Sequence, residues 1–320
     1  MKVISINMHY RCNAKCVFCV VGIPGSTEVK EMFQSYGEMV EELEKGRSKG
    51  YQALVLSGGE PTIHPQLIEL ISKAKEIGYQ SIEMKSNGIK LKDRGFVKEL
   101  VSAGLDNFCL SIQGPSAGIH DSVVGVPGAF DSIIKGSQYV KEFNMRILTP
   151  TCIQKANYQL LTDTVKLFKD IGSDHSTLTF VEPNGSAREY FEKIVPTYDA
   201  VVPYLKEAIK FLEDENMNWN IHGFPMCMVK GYEYKSLDLW RKDDALAGSN
   251  IEDYNLYEKK KFRVKGEVCK GCNVTAVCNG PWANYVKTYG FQGFEPYKDR
   301  SITEIIPLSV LLTGVMGIEL

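Results

Sequence analysis

Up to about residue 190 the chain alternates short β-rich apolar runs with amphipathic stretches of helical period, and that rhythm leaves few folds open. It predicts strands at Val3 to Met8, Ala53 to Leu56, Ser81 to Lys85, Asn107 to Ile112, Arg146 to Ile153 and Thr177 to Glu182. Helices are predicted between them, at Glu31 to Lys45, Leu67 to Ile77, Phe96 to Ala103, Phe130 to Phe143 and Leu160 to Ile171. A helix between two strands carries the chain back to where it started, so the second strand lies parallel to the first and the fold class is α/β. Six such units, the sixth ending in a loop, are too few for a complete eight-unit barrel; a partial, open barrel and a doubly wound sheet both fit. In either, ligands bind where the carboxyl ends of the strands gather, here just after Met8, Leu56, Lys85, Ile112, Ile153 and Glu182.

After Pro183-Asn184-Gly185 the rhythm stops. A long helix over Tyr198 to Glu213, a strand over Asn218 to His222 and a less regular charged region predict a smaller α+β unit over residues 191–320, set against a first domain over 1–190. With 37 Lys and Arg against 39 Asp and Glu, the balance gives no electrostatic case for a nucleic-acid partner. The most apolar stretch, Ile305 to Ile318, is broken by Pro307, Gly314 and Gly317 and falls short of the roughly 20 residues of a membrane span, so it is expected to pack as a C-terminal segment. Met1 to Met8 lack the apolar core and cleavage site of a signal peptide, and a cytoplasmic location is expected.

Nine cysteines make an odd set for a disulfide framework, which a reducing compartment disfavours in any case. Cys109 and Cys152 fall inside predicted strands and read as buried core thiols; Cys227 stands alone. The other six form two triplets. Cys12, Cys16 and Cys19 follow the first strand in a C-x3-C-x2-C spacing. One helix face could bury such a set, but Asn13 and the strand-end position argue against a helix there. Structural zinc wants four protein ligands and no fourth Cys or His is near, whereas three thiolates on a four-iron cluster leave one iron for another ligand.

This triplet, with Phe18 before its last cysteine, after the first strand of a six-unit βα chain, resembles the radical S-adenosylmethionine (radical SAM) superfamily. The resemblance continues in order through about residue 190. Ser57-Gly58-Gly59-Glu60-Pro61-Thr62 is similar to the GGEP-type loop that holds the methionine amino group, with Glu60 or local carbonyls as acceptors. Ser86-Asn87-Gly88 and Ser111-Ile112-Gln113-Gly114, the latter followed by His120-Asp121 and Gly125, resemble the loops that bring polar groups to the ribose and the methionine carboxylate, although relatives often carry Asp where Gln113 stands. Taken alone, each of these loops also reads as turn chemistry. The resemblance implies a partial (β/α)6 radical SAM barrel, a 4Fe-4S cluster on Cys12, Cys16 and Cys19, Phe18 packed near the cofactor, and a reductant such as flavodoxin or ferredoxin. It further implies that S-adenosylmethionine bound to the fourth iron is cleaved to methionine and a 5′-deoxyadenosyl radical, which takes a hydrogen atom from substrate.

Cys269-Lys-Gly-Cys272 and Cys278-Asn-Gly280, a C-x2-C-x5-C triplet followed by Trp282, Tyr285 and Tyr289, resemble the auxiliary-cluster segment of the SPASM and twitch subfamilies. One auxiliary 4Fe-4S cluster is implied, because a two-cluster unit needs more cysteines than remain. Its fourth ligand is left open between Cys227, the substrate and a small exogenous ligand. Cys227, in Phe224-Pro225-Met226-Cys227-Met228, is read first as that ligand, next as a protonated hydrogen-atom donor, resembling peptide epimerases of the superfamily, and last as a core residue. A zinc knuckle completed by Cys227 or His222 is the competing reading, and His64, His120, His175 and His222 share no metal-ligand spacing. Lys259, Lys260, Lys261, Arg263 and Lys265 form either a solvated face or a counter-charge to a thiolate-held cluster.

The resemblance points first to modification of a ribosomally made peptide by epimerisation or cross-linking, and secondly to a dehydrogenase or ring-forming enzyme acting on a small molecule. Against the peptide, the chain opens at its first strand, which leaves no room for an N-terminal peptide-recognition domain. From another class, a zinc- or cluster-bearing binding or electron-transfer module also fits the cysteines.

Overall fold

The computed structural model describes residues 1–20, 34–239, 245–247 and 262–307. Strands β1 (Val3–Asn7), β2 (Ala53–Ser57), β3 (Ser81–Ser86), β4 (Asn107–Leu110), β5 (Arg146–Ile153), β6 (His175–Phe180), β7 (Trp219–His222) and β8 (Ala245–Ala247) form one parallel sheet in the order β7-β6-β5-β4-β3-β2-β1-β8. From β1 to β7 each strand lies beside its predecessor with no reversal. Without a reversal there is no topological switch point, and right-handed crossovers all fall on one face, which decides for the partial barrel over the doubly wound sheet. The seven strands β1 to β7 curl into a half-barrel, and β8 is added along the free edge of β1.

Helices α1 (Tyr36–Ser48), α2 (Leu67–Ile77), α3 (Arg94–Ala103), α4 (Ala117–Val124), α5 (Ala129–Glu142) and α6 (Leu161–Asp170) fill the crossovers. Then come α7 (Ser186–Glu189), α8 (Phe191–Ile194), α9 (Tyr198–Asp214), α10 (Ala283–Tyr289) and α11 (Ile302–Ile305). The first helix starts later than its pattern predicts, at Tyr36, because Ser35 and Glu38 form a capping box that satisfies its first amides; residues 31–33 lie outside the described residues. Helix α4 was not predicted, being short and flanked by Gly114 and Gly125. The strand before His222 is the seventh strand of the barrel sheet, paired to β6 through Ser176 and Trp219, so the sheet runs past residue 190.

Alternate residues Ile4, Ile6, Leu54, Leu56, Ile82, Met84, Phe108 and Leu110 are buried against the helices with Met39, Leu43, Leu70 and Ile71. Each such side chain contributes about 1.5–3 kcal/mol by leaving water. The intervening residues face the concave side and are mostly polar: Ser5, Asn7, Ser57, Glu83, Thr177 and Thr179 are half-buried and Lys85 is exposed. The barrel therefore has a dry outer layer and a wettable inner wall.

The C-terminal residues share this core through Trp282, Tyr285 and Phe294 and add a small second one of Met226, Leu239, Val274, Tyr297, Ile305 and Ile306. Ile305 and Ile306 thus pack as expected, whereas 308–318 lie outside the described residues. No helix among the described residues is long and apolar enough to cross a membrane.

Candidate active site

The first cysteine triplet lies on the loop leaving β1, and backbone contacts from three other strand ends hold that loop. Gly59 N donates to His9 O at 2.5 Å and Glu60 N to Arg11 O at 2.9 Å, bringing the β2 loop against it. Lys15 N and Val17 N donate to Val124 O and Val123 O at 2.8 and 3.0 Å, at the end of α4. From beyond β6, Ser186 N donates to Cys19 O at 3.0 Å. The glycines are what permits this approach: a Cβ on Gly59 would overlap Arg11 O, and one on Gly185 would overlap Cys19 O. The backbone that Gly58 and Gly59 admit is therefore the cysteine loop of this chain. Gly59→Ala is expected to destabilise the fold by about 3 kcal/mol, the upper end of overpacking costs, and to lower iron retention after reconstitution; thermal melting and iron analysis check it.

Glu60 is buried, and its carboxylate is engaged inside the protein. Oε1 accepts from Thr62 N at 3.2 Å, Thr62 Oγ1 at 2.7 Å and Ser86 Oγ at 2.7 Å; Oε2 accepts from Asn87 N at 2.7 Å. Burial pushes its carboxyl above the ordinary value, and these donors oppose the shift. Glu60 thus ties the β2 loop to the β3 loop, while buried Pro61 opens the 3₁₀ turn Pro61–Ile63. Asn87 extends the tie: its Nδ2 donates to Asn13 Oδ1 at 2.8 Å and lies 3.7 Å from Cys12 Sγ. Phe18 is half-buried against the main core.

Gln113 is buried and links β4 to β5, its Oε1 accepting from Cys152 N at 2.9 Å and its Nε2 donating to Ser111 Oγ at 2.6 Å. His120 Nδ1 accepts from Gln113 N at 3.1 Å, and burial holds the imidazole neutral with a pKa near 4. Asp121 caps the turn into α5 through Gly128 N and Phe130 N. Asn157, just beyond β5, donates to both Gln113 O and Cys152 O. Ser86, Asn87 and Gln113 hold loop to loop, and Ser111, His120 and Asp121 brace their own connection between β4 and α5, roles that a one-dimensional pattern cannot separate from ligand binding.

The amides of Lys15, Val17 and Cys19 are hydrogen-bonded within the chain, and the loop's thiols are its soft metal donors. Burial and the neighbouring Cys19 and Glu60 push the Cys12 thiol up to about 11, and burial, Cys19 and Cys12 raise Cys16 further. Three mutually close thiols with their backbone immobilised fit a thiolate-held iron cluster. Cys152 departs from expectation: it is half-buried, with Cys16 and Glu182 among the groups acting on it, whereas Cys109 is buried.

At the second site Cys227, Cys269, Cys272 and Cys278 line one partly open cavity, with Lys265 and the apolar Val268, Val274 and Phe294. Burial, then the other three thiols, push Cys227 up to about 12. Gly280 N donates to Cys278 Sγ at 3.4 Å. Among the described residues no three His, Cys, Asp or Glu side chains converge as ligands of a single metal ion. Zinc would draw four sulfurs to about 2.3 Å from one point, whereas in a polynuclear cluster each thiolate binds its own iron. His222 is instead 3.3 Å from Asp238, which Arg263 also approaches. Arg263 is buried, its guanidinium stacked 3.5 Å from the Trp282 ring centroid, and not on a solvated face; Lys259, Lys260 and Lys261 lie outside the described residues.

A parallel half-barrel with three thiols on the loop after its first strand is the architecture of a barrel enzyme that holds a metal cluster at its strand ends. The chain belongs to the radical SAM superfamily, whose model matches residues 6–168; its members are enzymes that use a 4Fe-4S cluster and S-adenosylmethionine. It is 28% identical over 199 residues to the AdoMet-dependent heme synthase of Methanosarcina barkeri, covering 62% of this chain and 56% of that one. It is 24% identical over 211 residues to the PqqA peptide cyclase of Bradyrhizobium diazoefficiens, covering 66% and 53%. The chain thus spans little more than half the length of these curated relatives. In fold it is similar to Streptococcus suis SuiB bound to S-adenosylmethionine, with TM-score 0.66, 15% identity, and 93% of this chain and 76% of that one covered.

Proposed function

We propose that this chain is a two-cluster radical SAM enzyme that modifies a peptide, residues 1–190 carrying the SAM-binding site and 191–320 an auxiliary site. The observation that carries it is the pairing of a three-thiol loop at the barrel mouth with a cavity lined by four thiols. Cys12, Cys16 and Cys19 would hold the first cluster and leave one iron for S-adenosylmethionine; Cys269, Cys272, Cys278 and Cys227 would close the second. When bound, the first cluster and S-adenosylmethionine supply a 5′-deoxyadenosyl radical that removes hydrogen from an unactivated C–H bond. Glu60, Asn87 and Gln113 act as positioning residues, fixing the loops around the cofactor site, so the methionine amino group falls to loop carbonyls. The polar inner wall receives the substrate.

The peptide substrate rests on the likeness to a peptide cyclase and on the auxiliary-type cysteine segment. A small-molecule substrate is the second reading, favoured by the likeness to a heme synthase. A cytoplasmic location and electron supply from a flavodoxin or ferredoxin belong to the same proposal. Protein purified without oxygen should carry about eight irons per chain and form 5′-deoxyadenosine from S-adenosylmethionine and a strong reductant. Zinc in place of iron would overturn the reading.

A further inference from the structure

On the inner wall, directly below the cysteine loop, three neighbouring strands present Asn7, Ser57 and Lys85 abreast. Asn7 pairs in register with Ser57, and the Leu56–Met84 pairing sets Ser57 beside Lys85. With strands about 4.8 Å apart, the three span about 10 Å. All point away from the helix-facing core, Asn7 and Ser57 half-buried and Lys85 exposed. None has a side-chain hydrogen bond or ion pair among the described residues, in contrast to Ser86, Asn87 and Gln113 at the strand ends above. Glu83, the next inward position down β3, lies within hydrogen-bonding reach of the Cys109 thiol. An amide, a hydroxyl and an ammonium in one row offer N–H and O–H donors backed by one positive charge, the complement of a carboxylate or phosphate.

We propose that Asn7, Ser57 and Lys85 bind an anionic group of the substrate, so that the molecule entering the barrel is an acid held by its carboxylate or phosphate. This rests on the radical SAM reading above and adds a substrate class to it. Where strands lack a functional demand, an inward lysine is a desolvation risk; here it sits on the wettable face where a ligand can neutralise it.

The test uses the reconstituted holoenzyme loaded with S-adenosylmethionine. Lysine amines are acetylated and the rate at each position is read by mass spectrometry, with inorganic phosphate or glutarate as the probe. At about ten times its Kd a bound anion should slow acetylation of Lys85 about tenfold, leaving exposed Lys92 and Lys98 unchanged. An unchanged Lys85 rate overturns the proposal. So does protection by S-adenosylmethionine alone to which the anions add nothing, because that assigns the ammonium to the cofactor's own carboxylate. Iron content and substrate-free 5′-deoxyadenosine, measured on the same preparation, report separately on the radical SAM reading.

Discussion

Replacement of Cys12, Cys16 and Cys19 together by Ala should lower formation of 5′-deoxyadenosine by more than about a hundredfold, beyond what loss of outer partners of a metal site costs. The reason lies in how the loop is built. Its conformation is set by the contacts of His9, Arg11, Lys15, Val17 and Cys19 with backbone atoms of other loops, not by the thiols. The variant should therefore fold, with an unchanged far-ultraviolet circular dichroism spectrum, while the loop is left without sulfur donors. Product formation at the wild-type level would remove the catalytic assignment of this loop.

The second large effect concerns the four-thiol cavity. Changing Cys269, Cys272 and Cys278 to Ala should remove about four of about eight irons while substrate-free cleavage of S-adenosylmethionine persists, since the first site is built from other residues. Cys227→Ala alone should also lose the absorbance of the second cluster, because Cys227 lines the same cavity as the triplet. Intact clusters with substrate radicals that end in side products would instead make Cys227 a hydrogen donor. An intact, fully active variant would leave it a packing residue. Iron analysis, the visible spectrum and product analysis separate the three.

Much of this molecule is legible in one dimension. Hydrophobic period is a local property, and the runs around Ile4, Leu54, Ile82 and Phe108 are strands whose outward side chains became the core. Cysteine spacing is local as well, so both triplets stand in the sequence, as does the order of loops in which the family resemblance is carried.

What the sequence left open is what depends on residues distant along the chain. A partial barrel and a doubly wound sheet share the same βα rhythm, and only the unreversed strand order separates them. The strand at Trp219–His222 reads as part of another unit until its pairing with β6 is seen. Glu60 and Gln113 are polar residues in strand-end loops by sequence; their hydrogen bonds to the β3 loop and to Cys152 make them ties between loops. Cys227 stands alone in the chain and acquires three thiol neighbours in space. Lys85 is one more residue of a predicted strand until the pleat turns it to the concave side beside Ser57. Periodicity and spacing are encoded by near neighbours and survive in a string of letters. Which side chains meet across the barrel mouth is decided by the curl of the sheet and the packing of its crossovers, which no short window of sequence contains.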